Sequence, residues 1–216
     1  MASGLWPTPM LPPTIPIFPL PNVVLFPGVF LPLHIFEARY RAMVQDVLSG
    51  DRIIGMVLLR PGWKNEYEGR PPVYPVGCAG LVTHAVRLDD GRYNIVLHGL
   101  SKFRIVREES EGAYRVARIE ALAETLTDNA RPAMRERRQR LEELLATMID
   151  AADQRLPASM PDEELVNALA QYLELEPVER QALLERNDAL DRCESLIELL
   201  EMKTMMPKDG WGAGPQ

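Results

Sequence analysis

The side chains best suited to metal binding or nucleophilic chemistry, histidine and cysteine, are few and widely separated. The histidines are His34, His84 and His98, and the cysteines are Cys78 and Cys193. Zinc sites use these residue types at short spacings, and no such spacing occurs here. The sequence leaves open whether the fold brings the histidines together. It predicts packing or hydrogen-bonding roles for them, two reduced and buried cysteines, and no metal site.

Three other groups could be mistaken for active sites. Ser101 and Lys102 are adjacent, but neighbours on a strand point to opposite faces, so they are not expected to form a catalytic dyad. The acidic pairs at 89–90 and 108–109 lie near predicted turns and suit a solvated surface. The arginines within 135–140 suit the outer face of a helix. The glycine motifs that bind phosphates or dinucleotides are absent from the sequence, so we expect no catalytic residue, no cofactor and no enzyme activity.

The distribution of charge predicts two structural units. The 216-residue chain has a net charge of −7 and a pI near 5.1, which argues against non-specific nucleic-acid binding. Residues 1–124 carry 13 basic and 12 acidic side chains, whereas residues 125–216 carry 11 and 19. We expect a flexible proline-rich tail at 1–14, a β-rich unit at 15–124, a helical bundle at 125–204 and a second flexible tail at 205–216.

An uncharged stretch at 15–36 is long enough to span a bilayer, but it contains five prolines that would break a helix. No basic segment precedes it, as a secretion signal would require. We therefore expect no membrane segment and a cytoplasmic location. The stretch is better explained as buried extended chain, with strands near 15–18 and 29–33, where prolines suit edge strands.

The rest of the first half has a mostly β pattern with one helix. Apolar residues from Phe36 to Leu48 recur on one helical face, and Ser49-Gly50 is expected to end that helix with the glycine in the left-handed conformation. Strands are predicted at 53–59, 76–88, 92–100, 102–107 and 114–122, with a hairpin turn at 89–91 and a loop at 61–75. Strands at this spacing indicate a barrel-like sheet.

The second half has helical periodicity. One apolar stripe runs over 141–149, a second helix is predicted after an N-cap at Ser159, and a last helix is predicted over 177–202. Three to four helices of this length predict a small bundle.

A known family shares the sequence pattern of residues 15–44. The pattern consists of Pro19-Leu20, an apolar run, Phe26-Pro27-Gly28 and a second Pro-Leu at Pro32-Leu33. It resembles the N-terminal, substrate-binding domain of the ATP-dependent Lon proteases. The likeness extends to about residue 202. Further matching positions include Gly77, Gly99, Leu100 and the closing helix at 180–200. The sequence around Glu37, Arg39 and Tyr40 is similar to that of free-standing bacterial relatives, which lack the ATPase and peptidase domains.

The resemblance implies a fold and a role. The implied fold is α+β, with a PUA-like β pseudobarrel containing one helix, followed by an α-helical bundle. The implied role is non-catalytic recognition of unfolded polypeptides or a protein partner in proteolysis. The family motif positions are expected to be mainly structural. The candidate polypeptide-binding residues are Phe26, Leu31, Leu33, Phe36 and Tyr40, although the same side chains would also suit the core of a barrel.

Two other functions remain open from the sequence. Other PUA-like folds bind RNA, and the β half has seven basic residues that could serve this purpose: Arg87, Arg92, Lys102, Arg104, Arg107, Arg115 and Arg118. An unrecognised small-molecule enzyme would need convergent polar residues in a deep cleft. The sequence does not fix the client or the oligomeric state.

Overall fold

The computed structural model describes residues 11–66, 69–109, 112–148 and 160–205. The elements are, in chain order, β1 (Thr14–Leu20), β2 (Phe30–Ile35), α1 (Ala38–Leu48), β3 (Ile53–Leu58), a 3-10 turn (Trp63–Glu66), β4 (Val76–Arg87), β5 (Tyr93–Glu109), β6 (Val116–Leu122), α2 (Arg131–Met148), α3 (Asp162–Tyr172), α4 (Pro177–Leu184) and α5 (Ala189–Met205).

The six strands form one sheet that closes on itself. Their order is β2-β5-β4-β3-β1-β6, and β6 also pairs with β5. Five strands therefore form a closed circuit, with β2 attached outside it along the 17-residue strand β5. The circuit encloses an apolar cluster that includes Ile17, Val57, Phe103 and Ile119. The mixed α/β architecture and the single helix within the strand-rich half agree with the sequence.

The hairpin predicted at 89–91 joins β4 and β5. Gly91 has a φ of 80°, a left-handed conformation that a glycine adopts without steric cost, and its amide donates to the carbonyl of Leu88. The end of α1 differs from its prediction. The residue in the left-handed conformation is Arg52, with a φ of 60°, and not Gly50. Arg52 is held there because its Nε donates to the carbonyl of Val82, whose amide donates back to the Arg52 carbonyl.

The chain divides into two compact units, residues 1–124 with 167–185, and residues 125–166 with 186–216. The change at residue 124 coincides with the charge boundary in the sequence. Residues 167–185, which the sequence places in the helical bundle, group with the strand-rich unit instead. Within that unit, the amide of Gln181 on α4 donates to the carbonyl of Val76 on β4, at 2.9 Å.

The last predicted helix is interrupted. The segment 177–202 forms two helices, α4 and α5, because the side chain of Asp188 accepts a hydrogen bond from the Asp191 amide and caps the start of α5. Residues 11–14 of the predicted tail are also ordered: Thr14 belongs to β1, and the carbonyl of Pro13 accepts from Ile119. Residues 1–10, Ser159 and 206–216 lie outside the described residues.

In the second unit, α2 packs along α5. The predicted outer arginines are paired with acids: Arg137 with Glu194 at 3.0 Å, and Arg140 with Glu201 at 2.8 Å. The hydrogen bond to Glu194 raises the pKa of Arg137. These arginines therefore tie helices together. Across the described ranges, no helix combines the length and the apolar character that a membrane crossing requires.

Candidate functional site

Strand β2 lies at an edge of the sheet and pairs with β5 on one side. The Gly99 amide donates to the carbonyl of Val29, at 2.9 Å, which sets the phase of the ladder. In an antiparallel pair, alternate residues turn both backbone groups toward the partner strand. The backbone N–H and carbonyl groups of Leu31 and Leu33 therefore point toward β5, whereas the ring nitrogen of Pro32 points to the free edge. The proline removes no ladder hydrogen bond at this position, which explains why an edge strand accommodates it.

One face of the sheet next to this edge is apolar and exposed. Phe30 and Phe36 lie at positions that alternate with half-buried or buried ones, and they are 53% and 62% exposed. Between them lie the exposed Pro32 and His34. The ring of His98 on β5 packs beside Phe30 with centroids 4.6 Å apart, and the ring of His34 stacks near Phe36 at 6.3 Å.

The pairing register places all three histidines on this same face. Residues opposite each other on neighbouring strands share a face. His98 lies opposite Phe30, and His84 on β4 lies opposite Val96, which in turn lies opposite Pro32. The sequence left open whether the three histidines come together. They share one face of the sheet. Over the residues that the structure describes, no three metal-binding side chains meet in a way that could hold an ion.

The tautomer of His34 is fixed by its neighbours. Its Nδ1 lies 2.7 Å from the Asn94 Oδ1, and its Nε2 lies 3.1 Å from Nη1 of Arg92. Arginine can only donate, so we assign Nε2 as the acceptor and Nδ1–H as the donor to Asn94. Arg92 also pairs with Asp90 at 2.6 Å. The backbone amide of Arg92 donates to Asp90 and lowers the pKa of that carboxyl.

The far end of the edge is closed by a tyrosine from α3. The hydroxyl of Tyr172 donates to the carbonyl of Phe30 at 2.7 Å, and the amide of Asn167 donates to the carbonyl of Pro27 at 2.9 Å. Both residues belong to the strand-rich unit. Tyr172 therefore caps one outward carbonyl of β2, and among the described residues the outward backbone groups of Pro32 and His34 have no hydrogen-bond partner.

The five candidate binding residues occupy three kinds of position. Phe26 and Tyr40 are buried, and the ring of Tyr40 packs on Phe18 with centroids 4.3 Å apart. Leu31 and Leu33 are half-buried, and Phe36 is exposed. Leu31 and Leu33 lie on one face of β2 and Phe36, just after the strand, lies on the other, while Phe26 and Tyr40 lie in the core.

Most of the family motif positions lie in or beside the core, whereas Pro32 is exposed. Leu20 of β1, which follows Pro19, pairs with β3, and Gly28 has a φ of 75° after Phe26-Pro27. Glu37 and Arg39 form an ion pair at 2.9 Å beside α1. Gly77 and Gly99 lie at close backbone approaches, and Leu100 packs partly against the enclosed cluster.

Sequence reasoning missed Phe30, Val86 and Tyr172 as exposed large side chains of this unit. For Phe30 a signal existed, because the segment 30–36 alternates between two sets of residues. Both sets contain apolar side chains, so the pattern does not show which set faces solvent.

A cavity of about 660 Å³ lies elsewhere in the same unit. Three arginines line it, and each has a partner: Arg39 pairs with Glu37, Arg115 forms two hydrogen bonds with Glu108, and Arg70 donates to the carbonyl of Glu109. These pairings tie neighbouring segments together. Of the seven basic residues considered for RNA binding, Arg92, Lys102 and Arg115 form ion pairs within the fold.

Comparison with known proteins relates this architecture to one family. Residues 14–202 match the family described as the ATP-dependent protease La (LON) substrate-binding domain. The chain is 28% identical to Lon protease 2 of Myxococcus xanthus over 94% of its length, which is 26% of that protein. It is 32% identical to Lon protease 2 of Syntrophobacter fumaroxidans over 81% of its length, which is 22% of that protein. The chain thus spans about a quarter of the length of these relatives.

Two solved structures share the fold. A crystal structure of a Lon N-terminal domain protein from Xanthomonas campestris matches 90% of this chain and 99% of its own, with a TM-score of 0.60 and 23% identity. The N-terminal domain of a Mycobacterium avium complex Lon protease matches 87% of this chain and 98% of its own, with a TM-score of 0.61 and 20% identity.

Proposed function

The chain belongs to the family of ATP-dependent protease La (LON) substrate-binding domains, and from this premise we propose that it recognises unfolded polypeptides through the apolar face beside β2. The observation that carries the proposal is the exposure of Phe36 and Phe30 on one face of an edge strand. Large apolar side chains grouped on a surface usually mark a place where another molecule binds.

The chemistry of this face suits an unfolded client. Phe30, Pro32 and Phe36 offer apolar contact area, and Val96 and Val86 extend it across β5 and β4. A folded protein hides most of its large apolar side chains, whereas an unfolded chain presents them. A surface of this kind therefore distinguishes unfolded from folded polypeptides.

The proposal assigns binding and no chemical step to this chain. We suggest a cytoplasmic module that works in proteolysis or protein quality control, an assignment supported by its family membership. In the same proposal the strand-rich unit is a PUA-like pseudobarrel, supported by its closed circuit of five strands. The helices of the second unit correspond to the predicted bundle, supported by the packing of α2 along α5.

Fluorescence anisotropy tests the proposal. The labelled probe is reduced, carboxymethylated α-lactalbumin, and the native protein is the folded control. We expect the unfolded probe to bind with a dissociation constant on the order of micromolar and the folded control not to bind.

A matched pair of variants locates the site. Phe36→Ser removes an exposed ring from the face, and Val106→Ser removes a side chain of similar exposure (58%) from another part of β5. We expect Phe36→Ser to weaken binding about tenfold and Val106→Ser to leave it unchanged. No binding of the unfolded probe, or equal effects of the two substitutions, would refute the proposal.

A further inference from the structure

The free edge of β2 has a restricted set of hydrogen-bonding groups. The phase of the ladder turns the backbone groups of Phe30, Pro32 and His34 away from β5. The Phe30 carbonyl accepts the hydroxyl of Tyr172, and Pro32 has no N–H. The open groups that follow are the carbonyl of Pro32 and both the N–H and the carbonyl of His34. In the described part of the chain these groups have no hydrogen-bond partner, and β5 is the one strand paired with β2.

We propose that β2 binds its client by strand addition: a short extended segment of polypeptide hydrogen-bonds along residues 32–35 and continues the sheet. The proposal rests on the proposed function and specifies how the site works. An edge strand with unpaired backbone groups is complementary to one kind of ligand, another extended chain. Because Tyr172 closes the edge at Phe30, we expect the bound segment to cover about four residues, opposite 32–35.

The exposed stripe of Phe30, Pro32, His34 and Phe36 sets the preferred side chains. In an added strand, every second side chain would lie beside this stripe, where aromatic and β-branched residues make favourable cross-strand contacts. The intervening side chains would point to the other face of the sheet. Preferred clients therefore have large apolar residues at alternate positions and no proline where an N–H must donate to β2.

Pro32 also indicates that the occupant is a client and not a second copy of this chain. Two β2 strands paired edge to edge across this region would each place a carbonyl opposite the Pro32 ring nitrogen of the other, so two carbonyls would lose their donor. A client segment leaves one such carbonyl. Proline on an edge strand is a common device against pairing with copies of the same protein.

A pair of substitutions at one position separates backbone from side-chain binding. His34→Ala removes the ring and keeps the outward N–H, whereas His34→Pro removes both and leaves the ladder to β5 intact. With the carboxymethylated α-lactalbumin probe, we expect His34→Pro to bind about tenfold more weakly than His34→Ala, because a client carbonyl is left without a donor. Equal affinities of the two variants would overturn strand addition, while loss of binding in Phe36→Ser would still support the proposed function.

Hydrogen exchange of the unmodified chain supplies a second measurement if His34→Pro does not fold. Adding the probe should slow exchange of the His34 amide and leave the Leu33 amide unchanged, because Leu33 already donates to β5. Unchanged exchange at His34 in the bound state would overturn strand addition. A concentration-dependent dimer of the unmodified chain in which exchange of the His34 amide slows without probe would also overturn it by identifying a second copy as the occupant.

Discussion

Gly99 on β5 lies very close to the backbone of the Phe26–Gly28 turn that precedes β2, and the substitution Gly99→Ala tests how much this close approach contributes to stability. An ideal Cβ at this position would lie 2.0 Å from the carbonyl oxygen of Phe26, 2.9 Å from its carbonyl carbon and 3.2 Å from the Cα of Pro27. Non-bonded carbon atoms attract at roughly 3.5–4.0 Å, so the contacts to both Phe26 atoms are strongly repulsive. The obstacle is backbone and cannot rotate away. Gly99→Ala must therefore separate β5 from the Phe26–Gly28 turn.

The size of the effect follows from what that separation breaks. Overpacking in a well-packed region costs about 1–3 kcal/mol and occasionally more. Two hydrogen bonds join the same segments, from Gly28 N–H to the Gly99 carbonyl and from Gly99 N–H to the Val29 carbonyl, both 2.9 Å. Weakening each costs about 1 kcal/mol. We expect Gly99→Ala to lower the free energy of unfolding by about 4 kcal/mol in total.

Urea denaturation followed by circular dichroism measures this loss. For a slope of about 2.5 kcal/mol per molar urea, the midpoint of the transition should fall by about 1.5 M. Gly50→Ala is the matched control, because the nearest heavy atom to its added Cβ would be the Asp46 carbonyl oxygen at 3.9 Å. We expect this control to stay within about 0.5 kcal/mol of the unmodified chain. Unfolding free energies of the two variants within about 1 kcal/mol of each other would refute the argument.

Three further predictions follow from burial and charge. Phe26 is buried and Phe36 is exposed, so in the same urea assay Phe26→Ala should lower the free energy of unfolding by about 3–5 kcal/mol and Phe36→Ala by less than about 0.5 kcal/mol. Similar losses in the two variants would contradict this difference in burial. Lys102 is 3% exposed and pairs with Glu124 at 2.5 Å, so Lys102→Met should lower the free energy of unfolding by about 3–5 kcal/mol. The double variant Lys102→Met/Glu124→Leu should lose less, because it leaves no unpaired charge buried. A larger loss in the double variant would exclude a buried ion pair. Burial, and then the hydrogen bond to the Asp46 carboxylate, raises the pKa of Tyr114 to about 12. The contribution of Tyr114 to stability is therefore present below pH 10 and should disappear between pH 10 and 12. A difference in melting temperature between the unmodified chain and Tyr114→Phe that stays constant over this range would contradict this prediction.

The sequence predicted the strand-rich half well, because its signals are local. Glycine in the 89–91 turn, the apolar face of α1 and the fully buried run of β3 each follow from a short pattern that one conformation satisfies. Burial of both cysteines was also confirmed. Pro32 correctly indicated that β2 is an edge strand. The same prediction is wrong for β1, which contains Pro16 and Pro19 and pairs with both β3 and β6.

The features that the sequence did not predict depend on contacts between distant segments. The sequence predicts Leu31 and Leu33 as binding residues and misses Phe30, because both faces of the strand are apolar and the sequence pattern does not show which face is exposed. The break between α4 and α5 depends on Asp188, whose capping role competes with helix continuation over a periodic apolar pattern. The grouping of 167–185 with the strand-rich unit reflects contacts such as Asn167 to Pro27, which are 140 residues apart.

Site-specific photo-crosslinking tests the central claim most directly, because it asks which surface meets the client. Benzoylphenylalanine is placed at Phe36 in one variant and at Val106 in another, and each is irradiated with carboxymethylated or native α-lactalbumin. We predict crosslinks from position 36 to the carboxymethylated chain alone and few from position 106. Equal yields from the two positions, or crosslinks to native and unfolded forms alike, would contradict recognition of unfolded polypeptides at the face beside β2.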